Sequence, residues 1–340
     1  MLIAAASGRA LAASAARVDL LRRPVDGDGL LAALGSLADG RDCLGVVCGS
    51  GFEDGADLMA RVARRWPLLG NGAETVARLK DPMAFAALCR VTGIPHPETS
   101  LTPPADAENW LVKRTGGAGG WHIRPAQGAK AGRGVYFQRR VSGEAVSALL
   151  LGDGRNVMVL GFTAQWAAPL ARHPYRYGGA VRPAALAQGV MQAMTAALAR
   201  LNAAAPLTGL NGADFLVDGH AFHLLEINPR PGASFDLFEP NGASLFALHV
   251  EACAGRLPAQ APRYDGAMAG AIVYAARDIA AAPALDWPEW AADRPMPGSR
   301  IAAGQPLCSV FARAATAAEA RALVEQRGTQ IKSLLAVGVS

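Results

Sequence analysis

Residues Gly209–Asn228, GLNGADFLVDGHAFHLLEIN, constrain the fold more than any other stretch of the chain. Apolar alternation on both sides of Asp218-Gly219-His220 predicts two antiparallel strands joined by a tight turn. Glu226 and Asn228 stand two apart on the second strand and so point to one face. Pairing across the turn brings Asp214 close to Glu226. A carboxylate buried in so apolar a strand costs several kcal/mol unless a cation or hydrogen-bond donors meet it. Two carboxylates and an amide oxygen make a hard oxygen set suited to Mg²⁺, which completes its octahedron with phosphate and water. The plainer alternative, Glu226 paired with Arg230, leaves Asn228 and Asp214 unexplained.

Two upstream stretches carry compatible chemistry, each with a bland rival. Lys113 ends a short strand and precedes Thr115-Gly116-Gly117-Ala118-Gly119-Gly120. One cation beside a backbone that can approach closely suits a polyphosphate, although a flexible hairpin has the same composition. No G-K-[ST] follows, which excludes a Walker A loop. Farther on, Gln138-Arg139-Arg140-Val141-Ser142-Gly143-Glu144 ends an aromatic strand. Its backbone can meet an adenine edge and Glu144 a ribose, or the stretch is an edge strand protected by charge.

Around these stretches the chain changes rhythm. Short apolar strands at Leu2 to Ala6, Cys43 to Cys48 and Pro67 to Leu69 alternate with helices near Gly29 to Ala38 and Asp54 to Arg65. That βαβαβ order predicts a parallel sheet. A Ser7-Gly8 turn and a helix are expected after the first strand, in preference to an export segment, because Arg9 interrupts the apolar run. Gly49-Ser50-Gly51-Phe52-Glu53-Asp54 has Asp54 where a dinucleotide fingerprint needs glycine, so it is read as a strand-to-helix turn. Asp81-Pro82 are suited to cap and start a helix running to Gly93. Residues 109 to 166 read as an antiparallel sheet region, followed by a helix over Pro183 to Asn202. After Ala261 come a strand from Ala267 to Ala275, a turn at Pro297-Gly298 and a closing helix from Thr316.

Composition narrows the partners. A net charge of +5 without a basic cluster argues against nucleic acid. Five scattered cysteines with no C-x-x-C pair indicate neither a disulfide framework nor a zinc site, and a cytoplasmic setting is expected. No apolar run approaches the roughly 20 residues of a membrane-spanning helix.

In this order, the lysine with its glycine loop, the strand ending in G-E, the lone Asp214 and then E-x-N-P-R resemble the ATP-grasp superfamily. The resemblance covers about 200 residues, from Leu68 to Cys253. It implies a mixed α/β and α+β chain: a Rossmann-like preATP-grasp domain over 1–76, an ATP-grasp domain of two α+β subdomains over 77–260, and a small β-rich domain with a terminal helix over 261–340. By the same resemblance, Lys113 touches the α and β phosphates of ATP, and Gly116, Gly117, Gly119 and Gly120 close over the terminal phosphates. Gln138, Arg139 and Val141 belong to the adenine hinge and Glu144 to the ribose. Asp214, Glu226 and Asn228 hold one or two Mg²⁺ ions, and Arg230 is the catalytic cation opposite the transferring phosphoryl group. The chain departs from the pattern at three points. Pro82 stands where many members have a second lysine, for which Lys80 is the nearby substitute; Gly212 stands where arginine is common; Gln138 replaces an acidic hinge residue.

The activity implied is that of a stand-alone carboxylate-amine ligase, similar to tyramine-glutamate ligases of one-carbon cofactor synthesis. ATP phosphorylates a carboxylate, with glutamate the preferred acid, and an amine displaces phosphate. The rivals are a kinase or carboxylase-type reaction, or a nucleotide-binding scaffold with a degenerate site. Arg172, Tyr175, Arg176 and Tyr177 are candidate substrate contacts, two arginines for carboxylates and two tyrosines for a ring, against an ordinary hairpin tip. The expected partners are a small acid and a small amine, with no nucleic acid and no membrane; a homodimer stays open.

Overall fold

The computed structural model describes residues 1–4, 27–240 and 244–337. The Ser7-Gly8 turn and the helix expected after it lie outside these residues. The amino-terminal part contains β1 (Leu2–Ala4), α1 (Gly27–Ala38), β2 (Val46–Cys48), α2 (Ala56–Ala63) and α3 (Ala73–Lys80). β1 and β2 pair in parallel, and Val46 makes a parallel bridge to Leu68. The expected third strand is thus reduced to a single bridge. Leu30, Leu34, Met59, Val62 and Val76 bury the apolar face of this unit around Val46.

Helix α3 has no counterpart in the sequence reading. Its sequence, AETVARLK, is short and half polar, and Val76 and Leu79, three apart, are its only buried apolar residues. Asp81 then leaves helical geometry and caps α4 (Pro82–Val91), accepting from the N–H groups of Met83 and Ala84 at 3.0 and 2.7 Å. Aspartate at the N-cap and proline at the first turn act as expected. Consequently Lys80 sits at the junction of two helices.

A small antiparallel sheet follows, made of β3 (Thr99–Ser100), β4 (Trp110–Arg114), β5 (Arg124–Pro125) and β6 (Val135–Arg139), in the order β3-β6-β4-β5. It has its own core of Trp110, Val112, Ala126 and Phe137. After Arg139 the chain crosses into a second sheet. The one sheet region read from the sequence is therefore two sheets, joined at residues 140–143.

The large sheet contains β7 (Glu144–Asp153), β8 (Val157–Ala167), β9 (Tyr177–Arg182), β10 (Thr208–Asp218), β11 (Ala221–Asn228), β12 (Ala267–Tyr274), β13 (Ala291–Ala292) and β14 (Pro306–Ala314). Their order is β11-β10-β7-β8-β9-β12-β14-β13. Helices α5 (Gln188–Ala204) and α6 (Leu245–Cys253) lie between strands in sequence, and α7 (Ala317–Val337) ends the described chain. Both faces are covered. Val146, Ala148 and Leu150 of β7 share a core with Met194, Leu198 and Leu201 of α5. Leu149 and Leu151 instead pack with Phe235, Leu237, Phe238 and Leu245. A strand buried on both sides loses its polar alternation, which explains the run Ala148-Leu149-Leu150-Leu151.

Helix α5 begins later than the expected Pro183. Ala184 N–H still donates to Phe162 O at 2.9 Å, so extended backbone persists past the end of β9. The carboxy-terminal strands continue the same sheet, because β12 pairs with β9 on one side and with β14 on the other. Thr316 and Glu319 cap α7 reciprocally, at 3.2 and 3.0 Å, in a capping box. No helix among the described residues is long and apolar enough to cross a membrane.

Candidate functional site

Strands β10 and β11 place Asp214 opposite Glu226 and Gly212 opposite Asn228, with a bulge after Asp214. Three oxygen-bearing side chains therefore share one patch. Asn228 Nδ2 donates to Asp214 Oδ2 at 2.8 Å, which leaves the amide oxygen to accept from Lys80. Lys80 Nζ lies 3.0 Å from Glu226 Oε2 and 2.8 Å from Asn228 Oδ1. The charge that meets the half-buried Glu226 carboxylate is thus Lys80, delivered by the unexpected helix α3. Arg230 does not fill that role.

Electrostatics follow from this packing. Burial, reinforced by the neighbouring Glu226 charge, pushes the Asp214 carboxyl up to about 6. Burial acts the same way on Glu226, but Lys80 and Lys113 overcome it and hold that carboxyl at about 2. Two adjacent carboxylates with an amide oxygen fit a divalent cation by donor type. Among the described residues no group of three or more His, Cys, Asp or Glu is placed to hold a metal ion, so the patch has two carboxylates and no third such ligand.

Lys113 enters the same cleft from β4 of the small sheet. It is buried, and its Nζ donates to Gln138 Oε1 at 2.6 Å. Burial lowers its pKa while Glu226 and Asp214 oppose the shift. Gln138 therefore fixes Lys113 without neutralising it; an acidic residue there would cancel the charge. That is a physical reason for the departure noted at Gln138. A cleft open to solvent lies between the two sheets, lined by Lys80, Phe85, Thr115, His122, Tyr136 and Glu226 among others.

The glycine loop folds over this cleft. Gly116 has φ +70°, and a β-carbon there would lie 2.7 Å from Asp54 Cβ of the amino-terminal unit. Gly117 packs flat against the His122 ring, and Gly120 against the Tyr175 carbonyl. Gly119 O accepts from Tyr177 N–H at 2.9 Å. His122 was not anticipated; its only signal is its place directly after the glycine loop. Burial lowers its pKa, against the pull of Glu226.

The hinge residues are placed where the chain passes between sheets. Arg139 N–H donates to Glu98 O and Arg140 N–H to Asn109 O, both at 2.8 Å. The Arg139 guanidinium is exposed and faces Glu98 and Asp106 at 3.8 and 3.6 Å. Val141 is half-buried, and Glu144 is exposed at the first position of β7. The backbone N–H groups of 139 and 140 are thus committed to the fold.

Arg230 pairs with a carboxylate of the amino-terminal unit. Its Nε donates to Glu53 Oε1 at 2.5 Å and its Nη1 to Pro231 O at 3.2 Å. Glu53 is itself buried and accepts from Gly51 N–H at 2.6 Å. The stretch read as a plain turn therefore supplies a carboxylate that ties the two parts of the molecule together.

The four candidate substrate residues are not gathered into one site. Arg176 is buried, donating to Ala168 O and Gly304 O at 2.7 Å each and lying 3.6 Å over the Tyr274 ring. Tyr177 packs with the core that includes Phe235 and Leu237. Arg172 is exposed, and Tyr175 contributes its carbonyl to the contact with Gly120. Arg176 and Tyr177 hold the hairpin in place, so neither is free to bind a carboxylate or a ring.

Residues 83–234 match the family model described as the ATP-grasp domain. The fold is ATP-grasp. Solved structures similar to this chain include a Rhizobium etli pyruvate carboxylase variant with acetyl coenzyme A, at TM-score 0.66 and 18% identity, covering 87% of this chain and 30% of that one. The biotin carboxylase domain of Hydrogenobacter thermophilus 2-oxoglutarate carboxylase, a dimer with MgADP, ADP and bicarbonate, has TM-score 0.68 and 14% identity over 87% of this chain and 76% of that one. Carboxyaminoimidazole ribonucleotide synthase from Aspergillus clavatus, complexed with ATP, has TM-score 0.66 and 14% identity over 89% and 85%. The chain thus spans less than a third of the pyruvate carboxylase chain. No curated protein matches it.

Proposed function

We propose that this chain is an ATP- and Mg²⁺-dependent enzyme that activates a carboxylate as an acyl phosphate and passes it to a nitrogen nucleophile. The observation that carries the reading is the convergence of Asp214, Glu226 and Asn228 from the large sheet with Lys80 and Lys113 across one cleft. Lysines on one side and hard oxygen donors on the other suit a triphosphate bridged by metal. Asp214, Glu226 and Asn228 would hold the Mg²⁺, which supplies charge neutralisation on the phosphates. Lys113 and Lys80 would stabilise negative charge on the transferring group, and the closed glycine loop would exclude water.

Of the two acids considered, bicarbonate is better supported than an amino acid such as glutamate. The solved structures of similar fold are largely carboxylases, and one was captured with bicarbonate beside MgADP. Amide formation from an amino acid is the second version of the same chemistry, since both add a nitrogen to an acyl phosphate.

The test is isotopic. With ¹⁸O-labelled bicarbonate or pooled ¹⁸O-labelled acids, ATP, Mg²⁺ and pooled amines, one labelled oxygen should appear in the released phosphate. Glu226→Ala should still bind nucleotide yet release ADP at least about a hundredfold more slowly, as expected when metal positioning of a phosphoryl group is lost. A stable phosphorylated product without phosphate release would make it a kinase, and near-normal ADP release by the variant would remove the metal assignment.

A further inference from the structure

Lys80 stands on the oxygens a metal ion would need. Its Nζ lies 3.0 Å from Glu226 Oε2 and 2.8 Å from Asn228 Oδ1, so one ammonium holds two of the three oxygen-bearing side chains of the patch. The Lys80 side chain is only 6% exposed, and its backbone is fixed where α3 ends and Asp81 caps α4. Lys113 does not compete for these oxygens, because its Nζ donates to Gln138 Oε1 instead.

Distance and charge then set a condition on metal entry. Mg²⁺ sits about 2.1 Å from its ligand oxygens. An ion bonded to Asn228 Oδ1 would therefore stand within about 5 Å of Nζ from whichever side it approached. Repulsion between a divalent ion and an ammonium at that distance is strong where water is scarce. Asp214 and Glu226 balance two of the three positive charges and leave one over. Phosphate oxygens remove the conflict, since they supply further ligands to the metal and give the ammonium an anion to move to. Lys80 lines the cleft together with Thr115, Gly116 and Gly117, so it faces the space in which the glycine loop would hold phosphates.

We propose that Lys80 is a placeholder cation and a specificity-determining residue, which keeps free divalent ions off Asp214, Glu226 and Asn228 and gives way only to a metal that arrives with phosphate. The metal patch itself rests on the acyl-phosphate reading; the exclusion of free metal rests on the position of the ammonium.

The test uses Mn²⁺ as a spectroscopic substitute for Mg²⁺, with binding to the nucleotide-free protein followed by electron paramagnetic resonance. The unmodified protein should bind Mn²⁺ at least about tenfold more weakly than Lys80→Met, and Lys80→Arg, which keeps the charge, should bind as weakly as the unmodified protein. Adding Asp214→Asn to Lys80→Met should abolish the gain, which places the ion on the patch. A fluorescent ATP analogue, whose binding also reports that each variant is folded, should bind the unmodified protein more tightly with Mn²⁺ than in chelator. That enhancement should shrink in Lys80→Met, because metal and nucleotide no longer share the displacement of an ammonium. Equal Mn²⁺ affinity of the unmodified protein and a Lys80→Met variant that still binds the analogue overturns the proposal, as does tight Mn²⁺ binding by Lys80→Arg; with the enhancement intact, either result leaves the metal reading standing. Loss of the enhancement in the unmodified protein would remove the metal reading and the proposal with it.

Discussion

Lys80 is the residue on which the metal patch depends before any cation arrives. Its Nζ pairs with Glu226 and Asn228, and Glu226 in turn faces Asp214. Removing that ammonium leaves two carboxylates side by side. Because the Glu226 side chain is 40% exposed, solvent screens part of the loss. Lys80→Met should therefore destabilise the metal-free protein by only about 1–2 kcal/mol. Mg²⁺ should restore much of this, so melting curves in chelator and in millimolar Mg²⁺ should differ more for the variant than for the unmodified protein. Equal shifts would mean that no cation binds between the carboxylates.

At the same scale, His249 is buried, and burial lowers its pKa to about 4, opposed by the bond to Leu69 O, against 6.5 for an unperturbed histidine. Above about pH 6.5 the ring is neutral in both folded and unfolded chains and contributes no pH dependence. Between about pH 6.5 and about pH 4 the unfolded chain takes up the proton first, so stability falls as pH falls, by up to about 3 kcal/mol, and levels below that window. Denaturant midpoints measured across the window should show a decline that this group accounts for.

Among the elements, the glycine loop is a packed lid, and Gly128, outside the loop, separates backbone strain from steric fit. Gly120 and Gly128 share a left-handed backbone, φ +72° and +71°. A β-carbon at Gly128 meets nothing within 4 Å, whereas at Gly120 it would overlap the Tyr175 carbonyl. Gly128→Ala should cost only the left-handed strain, about 1–2 kcal/mol. Gly120→Ala adds a steric conflict with backbone that cannot rotate away. Its loop should become the first site of limited proteolysis, and the Michaelis constant for ATP should rise about tenfold or more while Gly128→Ala stays within about twofold.

At the scale of the whole molecule, the eight-stranded sheet joins segments far apart in sequence. β9 is covered by β12, and Val181 belongs to the same core as Val310, Val324 and Ile331. A chain ending at residue 260 should lose that core and expose β9 as an unpaired edge, a template for aggregation. We expect it to be insoluble or to unfold well below the full chain; a soluble, cooperatively melting fragment would show that the sheet can end at β9. Asn71 works across the other boundary, donating to Asn211 Oδ1 and Pro229 O at 2.7 and 2.9 Å and accepting from Thr208 N–H at 2.9 Å. Through it the amino-terminal unit grips both strands of the metal patch.

The sequence by itself determined the strand pair from Gly209 to Asn228, its turn, the shared face of Glu226 and Asn228 and the nearness of Asp214, because side-chain period and hairpin pairing are local properties. It also determined the Asp81-Pro82 helix start and the closing helix, whose caps involve residues at most three apart. Only the tertiary structure decided which charges meet. Lys80 reaches Glu226 from the end of a helix too short and polar to be read from its pattern, Arg230 turns to Glu53, and Arg176 is taken by backbone carbonyls. Each of these residues has a partner more than a hundred positions away, Glu226 for Lys80, Glu53 for Arg230 and Gly304 for Arg176. These pairings are fixed by which sheets and helices pack together, and a long side chain within reach of several partners takes the one that packing leaves beside it.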